Sequence, residues 1–82
     1  MRIAVIGIVI EKNRSAAKEV NEILSAYGDN VIGRMGVPNP EKEVYVISVI
    51  FKGSNETISA MTGRLGRIVG VNVKSAVTNV EI

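Results

Sequence analysis

Two stretches, Ile3–Ile10 and Val44–Phe51, are almost continuously apolar and rich in β-branched residues, the pattern of short strands covered on both faces. Between them Ala16, Val20, Ile23, Leu24 and Tyr27 follow the i, i+4, i+7, i+8, i+11 spacing of one helical stripe. Asn13 or Ser15 can cap this helix, and Gly28 is placed to end it with a positive φ, Asp29-Asn30 continuing the turn. Val31–Val37 reads as a second strand, weakened by Gly33 and Gly36, with a charged Arg34 that suits an edge. Pro38-Asn39-Pro40 should break the chain, and Glu41-Lys42 complete a polar loop. After Val44–Phe51, Gly53-Ser54-Asn55 turns the chain into a second helix. Glu56 complements that helix's dipole, and Ile58, Met61, Leu65 and Ile68 lie on one side. Gly70 closes it, and Val71–Val80 forms a last strand of mixed polarity.

The order β-α-β-β-α-β specifies an α+β, ferredoxin-like fold, with a four-stranded antiparallel sheet and two helices on one face. Right-handed crossovers set strands 1 and 3 in the centre and strands 4 and 2 at the edges. Pattern agrees with topology, since the unbroken apolar strands are the central ones. Two helices cover only one sheet face, yet strands 1 and 3 are apolar at both parities, so the other face needs a cover that no remaining segment supplies. A second copy is the simplest cover. The face assigned to that interface carries Ile6, Ile8, Val46, Ser48 and Ile50. The expected product is a homo-oligomer, a dimer or tetramer through the sheet face.

Composition strengthens this expectation. The 82 residues read as one domain, 1–82, and a chain this short buries only about 60–65% of the surface that its unfolded form exposes. Disulfides, metals or oligomerisation usually make up the deficit. Cysteine and histidine are both absent, which leaves oligomerisation. Arg2 with the apolar run behind it resembles a signal peptide, but Glu11-Lys12-Asn13-Arg14 stands where a cleavage site belongs. The run is also far too short to span a bilayer. A cytoplasmic location, with no membrane partner, is the expectation. The net charge of +2 is scattered along the chain and does not argue for nucleic acid.

Candidate chemistry is sparse. Arg2-Ile3-Ala4-Val5-Ile6-Gly7 opens like a dinucleotide-binding strand, but Val9 and Lys12 stand where that turn needs glycines. The stacking aromatics of RNA-recognition domains are missing from strand 1, and Tyr45 and Phe51 share a face that reads as core. Without His or Cys, and with no tight carboxylate pair, neither catalytic nor metal-binding residues are assigned. No cofactor is expected. Two features could bind. Lys12 and Arg14 flank Asn13 at the start of helix 1, where an anion would offset positive charge that otherwise opposes the helix dipole; the favoured alternative is a solvated basic turn partly offset by Glu11. Arg34 and Gly36 lie in Gly33-Arg34-Met35-Gly36-Val37-Pro38, whose glycines admit close approach by a ligand or, as the favoured reading, by a neighbouring chain's edge strand.

That hexapeptide, with Thr62-Gly63-Arg64-Leu65-Gly66-Arg67-Ile68-Val69-Gly70-Val71-Asn72-Val73-Lys74-Ser75, resembles a family of stand-alone bacterial proteins known as iron-only hydrogenase system regulators. The likeness extends through Asn21-Glu22-Ile23-Leu24 and Ser54-Asn55-Glu56-Thr57-Ile58 to essentially the whole chain. It implies an ACT-like domain similar to the C-terminal regulatory domain of the nickel-responsive repressor, which assembles through sheets. That repressor's nickel ligands are histidines and a cysteine, and its DNA contacts come from a separate ribbon-helix-helix segment. This chain has neither, so nickel sensing and direct DNA binding do not carry over. The leading expectation is an oligomeric ACT-like regulatory module, not an enzyme, with a small effector or anion at a subunit interface; the candidate ligand-binding residues, from the charge and glycine patterns above, are Lys12, Asn13, Arg14, Arg34 and Gly36. The alternative is a ligand-free assembly adaptor whose protein partner is a metalloenzyme or its maturation machinery.

Overall fold

A computed structural model describes residues 1–39 and 43–82. It comprises β1 (Arg2–Glu11), α1 (Arg14–Ala26), β2 (Val31–Asn39), β3 (Val44–Gly53), α2 (Asn55–Gly66) and β4 (Val71–Glu81). The strands form one sheet in the order β2-β3-β1-β4, every neighbouring pair antiparallel. The apolar strands β1 and β3 are therefore central and the glycine-bearing and mixed strands lie at the edges, as pattern and topology require. Pro40 and the Glu41-Lys42 loop lie outside the described residues.

Helix α1 starts at Asn13, whose side chain accepts the Ala16 amide, and buries Ala16, Val20, Ile23 and Leu24, the stripe set by their spacing. Gly28 follows it without the positive φ expected; Gly70, at φ 84°, is the only glycine among the described residues that has one. Helix α2 starts at Ser54, whose hydroxyl accepts the Thr57 amide at 3.1 Å, and buries Ile58, Met61 and Leu65. It ends at Gly66, before Ile68, because the turn into β4 must reach the left-handed conformation of Gly70. Ile68 packs against the core from that turn instead of from the helix. Strand β2 continues through Pro38 to Asn39, where a break was expected; an edge strand tolerates a proline that donates no hydrogen bond.

Register decides which side chains meet. Ile6 pairs with Val49 and Ile8 with Ile47, so the even residues of β1 share a face with the odd residues of β3. Both helices cover that face. Ala4, Ile6, Ile8 and Ile10 are buried with Ile47, Val49 and Phe51, and these meet Val20, Met61 and Leu65 from the helices. Ile6 and Ile8 are thus corrected from interface to core, each with no exposed surface. They cannot lie on one face with Val46, Ser48 and Ile50, because the antiparallel register pairs opposite parities of the two strands. Tyr45 is also displaced from the core. It faces the helix side but lies at the rim beyond the cover of α1, and it is 38% exposed.

Candidate functional site

Three connections converge on the turn between β1 and α1. Lys12, at φ 51°, donates its backbone N–H to the Glu43 carbonyl at 3.1 Å, while the Glu11 N–H donates to the Gly70 carbonyl at 2.8 Å. Asn13 joins the remaining pieces. Its Oδ1 accepts from the Ala16 amide (3.2 Å) and the Ser15 hydroxyl (2.7 Å), and its Nδ2 donates to the Val69 carbonyl at 2.8 Å. One side chain therefore caps α1 and ties it to the turn after α2. Lys12, Asn13 and Arg14, with Asn39, Glu43 and Tyr45, line a pocket of about 100 Å³ here. The first turn of α1 has no acidic residue, and the exposed Lys12 and Arg14 stand at its positive end. Glu43 lines the same pocket, so its charged groups are two cations and one carboxylate.

The dual role of Asn13 makes a prediction. Asn13→Ala removes the cap and leaves the Val69 carbonyl without its partner, a combined loss of about 1.5–3 kcal/mol. Urea unfolding should show it as a lower midpoint at unchanged slope. Asn13→Asp keeps the cap but not the donor and should recover part of the loss.

A second groove, of about 290 Å³, runs between α1 and β2, and Arg34, Gly36 and Tyr45 line it with Asn21 and Ala17 of the helix. Arg34 donates to the Asn21 side chain at 2.8 Å. A Cβ added at Gly36 would meet nothing within 4 Å, so no packing inside the chain calls for a glycine there. The structure gathers Lys12, Asn13 and Arg14 in one pocket and Arg34 with Gly36 in its neighbour, and Tyr45 borders both. Sequence reasoning assigned Tyr45 to the core. Its parity was right, and only the placement of α1 shows that it stands outside the helical cover.

On the sheet face away from the helices, the register forms a grid. Ala76, Val5, Ile50 and Gly33 make one row, Lys74, Gly7, Ser48 and Met35 the next, and Asn72, Val9, Val46 and Val37 the third. Val46, Ser48 and Ile50 hold the positions assigned to them on this face; Val5 and Val9 occupy those assigned to Ile6 and Ile8. Met35, Val37, Val5, Val46 and Ile50 are each between 40% and 65% exposed. The only charge in the grid is Lys74, on the β4 edge. No helix among the described residues is long and apolar enough to cross a membrane.

A βαββαβ chain with its strands ordered β2-β3-β1-β4, two helices on one face and grooves beside the β1–α1 turn is an ACT-like domain. The ACT domain of the GTP pyrophosphokinase from Chlorobium tepidum superposes with a TM-score of 0.72, at 20% identity over 93% of this chain and 100% of that one. The C-terminal domain of MgtC from Mycobacterium tuberculosis shares the fold too, with a TM-score of 0.70 at 9% identity over 95% of this chain and 88% of that one. The chain belongs to the TM1266-like family, described as "Iron-only hydrogenase system regulator, putative", whose model matches residues 2–75. The uncharacterized protein TM1266 from Thermotoga maritima is 36% identical over 93% of this chain and 95% of its own, with a TM-score of 0.89. No curated protein sequence matches.

Proposed function

We propose that the chain is a self-associating regulatory module of an iron-only hydrogenase system, acting in the cytoplasm without catalysis of its own. In this reading a second copy covers the open sheet face, and a small effector or anion occupies the grooves on either side of Tyr45. The carrying observation is the apolar grid on that face. Strands of nine to eleven residues, at spacings of about 4.8 Å across and 3.3 Å along, offer a face of roughly 600 Å². Two such faces bury about 1,200 Å², the lower end of the range of specific interfaces. The centre of the face is also self-complementary, since a two-fold axis there sets the uncharged Val46, Ser48 and Ile50 of the copies against each other, while Lys52 and Glu11 lie at opposite ends of the face.

Light scattering and a ligand screen test the two halves separately. The mass should be at least twice 8.8 kDa, and Val46→Lys with Ile50→Lys should lower it at least two-fold without unfolding the chain. A monomer at micromolar concentration would overturn the self-association. In a thermal-shift screen with amino acids, nucleotides and phosphate, a binder present at about 100 times its Kd adds roughly 2.7 kcal/mol. Lys12→Glu with Arg14→Glu should abolish an anion's effect.

The second reading is a ligand-free adaptor for a metalloenzyme or its maturation machinery. Pocket size favours it in part: the pocket beside Lys12, about 100 Å³, is well below the roughly 300 Å³ at which small-molecule sites begin, whereas the groove beside Arg34, about 290 Å³, reaches it. A broad screen without a hit would select the adaptor.

A further inference from the structure

Strand β4 runs for 11 residues at the sheet edge, with β1 as its one neighbour. Register fixes which of its backbone groups are free. The Glu11 N–H donates to the Gly70 carbonyl at 2.8 Å, so Val9–Asn72, Gly7–Lys74 and Val5–Ala76, in the same phase, exchange the ladder bonds. Val73, Ser75 and Val77 stand between these pairs and turn their N–H and C=O groups away from β1. Val71 shares their phase, and its N–H accordingly goes to the Ile68 carbonyl at 3.1 Å instead of to β1. Among the described residues no other group bonds the outward backbone of Val73, Ser75 and Val77.

The side chains of the same three residues face α2 across two adjoining grooves of about 420 and 430 Å³, and Ser59, Thr62 and Ser75 line both. The wall that α2 presents is small and uncharged. Gly63 and Gly66 lie in it, although glycine weakens a helix, and a Cβ at either would meet nothing within 4 Å. No packing inside the chain calls for glycine there, whereas room for an incoming side chain does. Arg64 of the same helix is turned away, over the Tyr27 ring, 5.7 Å from its centroid. Arg2 closes one end of the grooves and is already engaged by the Thr78 carbonyl and Glu81.

We infer that β4 and α2 receive an extended segment of a different protein, which joins the sheet as a fifth strand and lays alternate side chains into the two grooves. A strand is the occupant that uses both halves of this surface. Its backbone meets Val73, Ser75 and Val77, and its side chains, at a period of two, meet the α2 wall. A small ligand in either groove would leave the outward backbone groups unbonded. The β2 edge, with Gly33 and Gly36, is the one whose sequence favours a neighbouring chain of the same kind, which leaves β4 for another. β4 also has few of the devices that keep an edge from pairing: no proline, a ladder regular through Val77 and a single lysine. The chemistry of the segment follows from the lining. Its residues toward α2 are uncharged and small or β-branched, to match Ser59, Thr62 and the glycines. On the other face Lys74 is the one charge of the regular ladder, so an acidic residue belongs beside it. This surface is separate from the open sheet face and from the grooves around Tyr45, so it stands independently of the reading above.

The test selects binders from phage-displayed random peptides of about ten residues, the length of a long strand, and then measures hydrogen exchange of the chain with the selected synthetic peptide. The amides of Val73, Ser75 and Val77 should exchange at least about ten-fold slower with peptide bound, and those of β2 at an unchanged rate. Selected sequences should be enriched in Asp or Glu at one position, and selection against Lys74→Glu should turn that preference to Lys or Arg. Ser75→Pro removes an outward donor without breaking a bond to β1, so it should leave the fold intact and weaken peptide binding at least about ten-fold. Gly63→Gln with Gly66→Gln fills the α2 wall with good helix formers and should weaken binding as much at an undiminished melting temperature, a check that needs no proline to be accommodated. A library that yields no binder, peptide protection on another surface, or full affinity in both variants would overturn the proposal. Concentration-dependent protection of the same amides without peptide would overturn it too, by making a second copy the occupant.

Discussion

Replacing Phe51 with alanine should cost about 3–5 kcal/mol, the usual range for a buried aromatic. Phe51 has no exposed surface, lies near the end of β3 opposite Ala4 and Val31, and meets the Tyr27 ring edge-to-face at 6.2 Å between centroids. Its small neighbour on β1 cannot expand into the space, so the cavity would persist. Tyr27 would lose its aromatic partner while still supporting Arg64, whose guanidinium lies over the Tyr27 ring, 5.7 Å from its centroid. A domain of this size has about 4–12 kcal/mol to lose, so the substitution removes a large share of the total. Thermal melting should fall by about 12–40 °C. Phe51→Leu, which keeps much of the volume, should lose far less. If Phe51→Ala cost under about 1.5 kcal/mol, the core described above would be wrong.

Gly70→Ala should be the second most damaging change, through backbone alone. At φ 84° an L side chain costs about 1–2 kcal/mol, and a Cβ there would stand 2.7 Å from the Glu11 carbonyl oxygen. That oxygen belongs to the backbone next to Lys12, and the neighbouring Glu11 N–H donates to the Gly70 carbonyl. Relief requires the β1–α1 turn to move, so the damage reaches the pocket as well as the fold. A total of about 2–4 kcal/mol is expected when steric displacement joins the torsional cost. Gly36→Ala is the control. With nothing within 4 Å of the added carbon, it should stay within about 0.5 kcal/mol of the parent. Equal losses from the two substitutions, measured by urea unfolding, would remove the special role given to Gly70.

The two glycines also show how far each level of description reaches. Both look alike as letters beside apolar residues. Gly70 reads in the sequence as the residue that closes the second helix, but the helix ends earlier, at Gly66, and Gly70 closes the turn into β4. That it clamps a turn some sixty residues earlier was not legible, since the contact exists only once β4 has docked beside β1. Gly28, in the same kind of position after α1, needs no positive φ because Tyr27 and the following turn satisfy the last carbonyls of the helix.

The candidate site divides along the same line. Asn13 as a cap, and the basic residues on either side of it, follow from local chain chemistry. The bond from Asn13 to Val69 and the separation of Arg34 and Gly36 into a second groove do not, because they depend on where α1 lies over the sheet. Tyr45 alternates correctly with Phe51 yet ends at the rim, because the helix does not extend over it.

Periodicity, caps and breakers along the chain were enough to determine the element order, the sheet topology, the helical stripes and the two apolar parities of the central strands, because each depends on residues close together in sequence. Only the tertiary structure decided which parity of β1 joins which parity of β3, and with it that Ile6 and Ile8 are core while Val5, Val9, Val46 and Ile50 form the open face. A strand apolar on both sides carries no internal mark of which side a helix will cover. That choice is made when α1 and α2 pack, by the register of β1 against β3 and the reach of two helices over four strands.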